Sequence, residues 1–246
     1  MRFRLTFLLS ALLATSALAK DIKVEGIIGA DDRKPADARF PWASIGKVQL
    51  RGFSWLGDCT GELIAPDLVL TAAHCFSDYR MKKQVPLANI SFALGLKRDT
   101  DLGHAKAKCV ALLGPLPDRG NPIPAFLKGD AAVIRLDRPL AKGVPISFAA
   151  DAAVLQGAEI SMAGYGQDRR YWPVQHAACH VTWNKHLLAG SDCDATHGQS
   201  GGPVLVEEDG AAKLAGILVA IQDGVESIII PSPRLKEFLA TNPCPE

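Results

Sequence analysis

The stretch Ala195–Leu205, "ATHGQSGGPVL", decides how the rest of the chain is read. Ser200 stands between Gly-Gln and Gly-Gly-Pro, and an apolar run follows it. Glycines let backbone N–H groups approach an oxygen that gains charge during acyl transfer. In this stretch those donors are the N–H groups of Gly198 and Ser200. Taken alone, a serine among glycines is more often a tight turn at the entry to a strand. A hydroxyl becomes a useful nucleophile only when a base takes its proton, and that base needs a carboxylate to fix its tautomer. The stretch is catalytic only if the chain supplies both.

Two upstream contexts supply them. "VLTAAHC" places His74 directly after an apolar run, and "KGDAAVIRL" places Asp130 at the mouth of another. Each has a bland reading of its own, a structural histidine and a turn-capping aspartate. Their joint occurrence with "HGQSGGP" is what gives Ser200 its chemical reading as nucleophile.

Further out, the chain is punctuated by short aliphatic runs between Gly, Pro and Asp. They are "ASIGKVQL", "GELIAPDLVLTAAH", "ISFALGL", "KCVALLG", "AAVIRL", "AEISMAGYG", "CHVTW", "GPVLVEE", "LAGILVAI" and "SIIIPS". Many short strands with turn signals predict an all-β sandwich or barrel. Only "SPRLKEFLATN" reads as a helix, with Ser232 as N-cap and Pro233 at the first helical position. The proline- and glycine-rich 112–129 reads as an irregular loop, and 137–157 as a crossover between two similar halves.

The first 19 residues, "MRFRLTFLLSALLATSALA", carry early arginines, an apolar centre and a small-x-small ending. That is the layout of a cleaved secretory signal, and the protein is expected to be secreted or periplasmic. Removing it leaves 227 of the 246 residues, enough for one large β domain or two packed halves. Such a chain buries roughly 70–75% of its unfolded surface, so it needs no metal to build a core. The net charge of +1 carries no basic block, so neither nucleic acid nor an anionic membrane is an expected partner.

All six cysteines, 59, 75, 109, 179, 193 and 244, follow the signal, and an even number in an oxidising compartment favours disulfides. Cys59 and Cys75 would close a loop of about 15 residues, worth roughly 3 kcal/mol in the chain-entropy model. Cys179–Cys193 is a second local pair, which leaves Cys109–Cys244 by elimination. No C-x-x-C pair or paired histidine spacing points to zinc, and no metal or cofactor is expected.

"TAAHC", "DAAVIRL" and "GQSGGP" in this order resemble the chymotrypsin-like, trypsin-fold serine peptidases. The resemblance spans nearly the whole of residues 27–246, after a possible short leader at 20–26. It implies two six-stranded antiparallel β-barrels, about 27–140 and 141–231, with the site in the cleft between them. A C-terminal helix, 232–242, would pack on the first barrel and bring Cys244 near Cys109. It also implies the Cys59–Cys75 bridge beside the histidine. "GIIGADDRKPADARFPWASIG" and "SDCDATHGQSGGPV" are similar to the bacterial glutamyl-endopeptidase-like branch. Animal trypsins carry an aspartate before the serine, which pairs with a new amino terminus after activation. Here that place holds Gln199, and Gly26 precedes Ile27. The resemblance therefore implies either a site formed without cleavage or a different role for the leader.

Specificity is less determined. Asp194 falls where trypsins hold the carboxylate that receives Arg or Lys, with Thr196 where they carry the bracing cysteine. Glutamate-specific members place a histidine where this chain has Leu218, and a threonine where it has Ala195. Val219, Ala220 and Ile221 are expected to pair with an extended substrate backbone and wall the pocket. Ile221, where trypsins carry a glycine, would narrow it toward small apolar residues. The function expected is a monomeric serine endopeptidase acting on peptides or proteins. The alternatives are an inactive peptidase-fold binding protein and an esterase or transferase with the same chemistry.

Overall fold

The computed structural model describes residues 24–36, 41–51, 56–78, 83–116, 126–151, 154–185 and 187–245. The expected signal, most of the leader and the centre of the 112–129 loop lie outside the described residues. In chain order the strands begin with β1 (Lys34–Pro35), β2 (Ile45–Arg51), β3 (Leu56–Ala65) and β4 (Leu68–Thr71). The short β5 (Ser77–Asp78) and β6 (Lys83–Gln84) pair with each other. Then come β7 (Ile90–Leu94), β8 (Gly103–Leu112) and β9 (Ala132–Leu136). After the crossover follow β10 (Glu159–Gly164), β11 (Val174–Lys185), β12 (Leu188–Ser191), β13 (Pro203–Glu208), β14 (Ala211–Gln222) and β15 (Glu226–Pro231).

Two antiparallel barrels result. The first closes in the order β2-β3-β4-β9-β8-β7. The second runs β11-β10-β13-β14-β15-β12 and closes through β11–β12, with β1 appended to the outside of β11. Each of the ten aliphatic runs contributes to a strand, and "GELIAPDLVLTAAH" contributes to two, β3 and β4. Strand β12 escaped sequence reading because its four residues, "LAGS", are too few to show a period.

The near-continuous apolar character of the last strands has a geometric cause. Successive side chains of a strand point to opposite faces, and here both faces are buried. Val204 and Val206 of β13 enter the second barrel while Leu205 faces the larger core. On β15, Ile229 points inward and Ile228 and Ile230 point to that larger core. The larger core is continuous with the first barrel's Val48, Leu63, Phe92 and Ile134. Each such isoleucine contributes about 1.5–3 kcal/mol by leaving water.

The closing helix, α1 (Ser232–Ala240), departs from expectation in two details. It starts one residue early, with Pro231 as N-cap; Ser232 lies inside the helix and makes no cap hydrogen bond. It rests on β14 and β15 of the second barrel, with Leu235 and Phe238 in the core shared with the first. Leu239 of the helix lines a cavity with Ile64 and Leu68 of the first barrel, and the tail beyond is anchored there: Cys244 is bonded to Cys109 and its carbonyl accepts from the Arg135 guanidinium. The other bridges are Cys59–Cys75 and Cys179–Cys193, and no cysteine among the described residues is free.

Candidate active site

The three chemical residues come from element ends that face one another. His74 sits in a short 3-10 turn, Ala73–Phe76, just after β4. Asp130 lies two residues before β9, the antiparallel neighbour of β4, so the barrel itself sets them side by side. Ser200 comes from the second barrel, three residues before β13. His74, Ser200 and Gly198 line one cleft of about 280 Å³, together with the Cys59–Cys75 bridge.

Asp130 is fully buried and grips the histidine twice. Its Oδ1 accepts the His74 backbone N–H at 2.7 Å, and its Oδ2 lies 2.7 Å from His74 Nδ1. The first bond fixes the carboxylate's orientation; the second assigns the Nδ1 proton to the aspartate side and leaves Nε2 as acceptor. Burial disfavours the imidazolium, but the Asp130 charge and hydrogen bond outweigh it, so the His74 pKa stands above the ordinary value of 6.5.

The serine loop is held from three sides. Thr60 of β3, wholly buried, donates its hydroxyl to the Gly198 carbonyl at 2.9 Å and accepts the Tyr165 N–H at 2.9 Å. Its backbone N–H donates to the Ser200 carbonyl at 2.9 Å. From the second barrel, the Gly201 N–H donates to the Leu218 carbonyl and the Leu218 N–H to the Gly202 carbonyl. Within the loop, the Gln199 N–H donates to the Thr196 carbonyl, and Gln199 Oε1 accepts the Thr196 N–H at 3.0 Å.

These bonds also orient the two candidate donors. The His197 carbonyl accepts from the Gln167 N–H at 2.7 Å. A trans peptide is planar, so the Gly198 N–H points the opposite way. The Gln199 carbonyl is likewise committed to the Gly202 N–H, which turns the Ser200 N–H away from it. Gly198 has φ +93°, and a side chain there would strike the Tyr165 carbonyl, so only glycine fits.

Asp194, expected to face a substrate cation, is used differently. It is buried; Oδ1 accepts the Ile28 N–H at 2.7 Å and Oδ2 the Asp32 N–H at 2.9 Å. Its own N–H donates to His176 Nδ1. The carboxylate is thus a tether for the amino-terminal segment and does not line the cleft with Ser200. Ala195 meets the same segment, its N–H donating to the Gly26 carbonyl. Gly26 has φ +91° and sits so close to the Ala195 carbonyl and the Ile221 side chain that a Cβ has no room. Val219 lies at a register shift of β14 and is buried, while Ala220 and Ile221 are half-buried on the same strand. Leu218 is buried in the second barrel's core.

Sequence reading missed Thr60, Tyr165 and Gln167 as supports of the loop. Thr60 stands next to Cys59 in a run that reads as a plain strand, and its partners Gly198, Tyr165 and Ser200 are distant in the chain.

Residues 27–238 match the trypsin family. A glutamyl endopeptidase from Bacillus licheniformis is 25% identical over 200 residues, covering 78% of this chain and 58% of that protein. Human serine protease 23 is 29% identical over 164 residues, 60% of this chain and 43% of its own length. The chain thus spans only about half the length of these relatives. A solved structure of a Glu endopeptidase in complex with MPD superposes with a TM-score of 0.72 at 23% identity, covering 88% of this chain and 98% of that one. That likeness is one of fold.

Proposed function

We propose that this chain, which belongs to the trypsin family, is an exported serine endopeptidase that works through Ser200, His74 and Asp130. The observation that carries the reading is the double Asp130 grip on His74 in the cleft that Ser200 and Gly198 line. His74 Nε2 takes the Ser200 hydroxyl proton as Oγ attacks the scissile carbonyl. Asp130 holds the tautomer and stabilises the imidazolium that forms. The negative oxygen of the tetrahedral intermediate is received by the N–H groups of Gly198 and Ser200. His74 then protonates the leaving amine, and water hydrolyses the acyl-enzyme by the same steps in reverse. Three disulfides fit an oxidising compartment.

The pocket favours an uncharged residue before the scissile bond. Asp194 has both oxygens committed to backbone N–H groups, so it is not presented to Arg or Lys. Leu218, where glutamate-specific members hold a histidine, is buried in the barrel core and supplies no counter-charge for a glutamate side chain. Ala195 is fully buried against Gly26, so the half-buried Ala220 and Ile221 are the apolar wall left for a substrate side chain. The test is digestion of a diverse peptide library, with cleavage sites read by mass spectrometry. Internal cleavage lost in Ser200→Ala supports the reading; equal cleavage by that variant overturns it, as does cleavage confined to Arg and Lys for the pocket.

A further inference from the structure

We propose that Arg33 is a positioning residue that holds the serine loop in its working shape, taking over the part an amino-terminal charge plays in animal trypsins. The inference rests on the endopeptidase reading above for its kinetic consequence, but its structural content stands apart from turnover.

The Arg33 side chain is completely buried. A buried guanidinium is costly unless each donor finds an acceptor, and here every nitrogen does. Nε and Nη2 fork onto the Asp31 carboxylate at 2.9 and 3.0 Å. Nη2 also reaches Asp168 Oδ2 at 2.8 Å. The remaining nitrogen, Nη1, turns to the loop: it meets Thr196 Oγ1 at 3.1 Å and Gln199 Oε1 at 3.2 Å, with Asp168 Oδ1 at 3.3 Å. Thr196 Oγ1 in turn donates to Asp168 Oδ1 at 3.0 Å.

Gln199 is the residue immediately before the nucleophile, and its Oε1 also accepts the Thr196 N–H. One guanidinium therefore fixes both ends of Thr196–Gln199, the turn that aims the Gly198 and Ser200 N–H groups. A glutamine suits this place because Asp31 and Asp168 already balance the two cations they pair with, Arg33 and Arg169. A third carboxylate would leave the buried cluster with excess negative charge.

The cation arrives from the amino-terminal segment, which Asp194 ties down through Ile28 and Asp32. Asp31 is tied further by Arg169 at 2.9 Å. Arg33 is an internal residue, and the charge it brings to the loop is a side chain's. The loop's shape thus requires no liberated α-amino group. Docking of Ile27–Arg33 and ordering of the serine loop become one event.

The test uses amide hydrogen exchange and steady-state kinetics on Arg33→Met and Gln199→Met. The second variant leaves the Arg33 carboxylate pairs intact and serves where the first does not fold. The brace predicts exchange at Gln199, Gly201 and Gly202 at least about tenfold faster in either variant. It also predicts kcat lower by about 10² with KM within about threefold, on the scale of losing an oxyanion donor. Unchanged exchange and kcat within twofold in a folded variant overturn it. In the unaltered protein, the amides of Ile28 and Asp32 must open together with those of Gly201 and Gly202; independent opening overturns the brace even if neither variant folds. Coupled opening in a protein with no peptidase activity would sustain the brace and overturn the function, so the two failures are distinct.

Discussion

Replacing Thr60 with valine keeps the side chain's shape and removes only its hydroxyl. In the native protein that hydroxyl serves two buried backbone groups, donating to the Gly198 carbonyl and accepting from the Tyr165 N–H. Both lose their partner in Thr60→Val, and each unsatisfied group costs about 1–3 kcal/mol. The added methyl recovers little, so the expected loss is about 2–5 kcal/mol. For a chain of this size 1 kcal/mol corresponds to about 2–4 °C in Tm, giving a fall of about 5–15 °C. Calorimetry at fixed pH and scan rate measures it, with Thr60→Ser as the control that keeps the hydroxyl and stays within about 1.5 kcal/mol. The released Gly198 carbonyl also frees the peptide that aims the candidate oxyanion donors, so kcat should fall more than KM rises. A Tm within 2 °C of the parent would refute the hydrogen-bond accounting, because a buried Thr60 offers water no route to replace the lost partner.

Three other outcomes follow from the same structure. Glu62 is fully buried and neither carboxyl oxygen has a hydrogen-bond partner among the described residues, so burial holds its pKa well above the usual range. The folded state then keeps a proton that the unfolded state releases, and stability falls by up to about 1.4 kcal/mol per pH unit above about pH 4.5 until the raised pKa is passed. Glu62→Met should flatten that slope in denaturant titrations and raise stability at neutral pH; an unchanged slope would refute it. His74 has a raised pKa, so its pairing stabilises the fold fully below 6.5 and loses that contribution as pH rises through the folded value. Activity runs the other way, because only neutral His74 accepts a proton: the acid limb of kcat/KM should fall above pH 6.5, and a limb below 6 would contradict the Asp130 pairing. Asp194→Asn should cost about 1.5–3 kcal/mol by weakening two charge-assisted bonds, measured by urea unfolding. It should leave the ranking of substrates by charge unchanged; a selective loss of Arg or Lys cleavage would restore Asp194 to the pocket.

What the sequence disclosed depended on how local each feature was. Barrel strands announced themselves as aliphatic runs because burial on one or both faces leaves its mark residue by residue, as in β13 and β15. His74, Asp130 and Ser200 were legible because each stands at the end of such a run in a short context of its own. Cys179–Cys193 is local too, whereas Cys109–Cys244, 135 residues apart, was reached by elimination. The structural use of Asp194 was hidden, since its partners are backbone N–H groups more than 160 residues away, which no residue type advertises. Arg33 shows the same limit: "DDR" was visible as a run, but its partners Asp168, Thr196 and Gln199 meet only after the second barrel closes. Glu62 is a carboxylate in the buried middle of β3, and its sequence context gave no reason to expect it to be fully enclosed.

The most direct measurement of the central claim is covalent labelling of the folded protein with a fluorophosphonate probe, followed by peptide mapping. The account predicts one adduct, on the peptide carrying Ser200, formed at a rate that rises with pH as His74 loses its proton. It also predicts that the adduct disappears in His74→Ala. An unlabelled Ser200 in folded protein, or an adduct that forms equally well without His74, would contradict it.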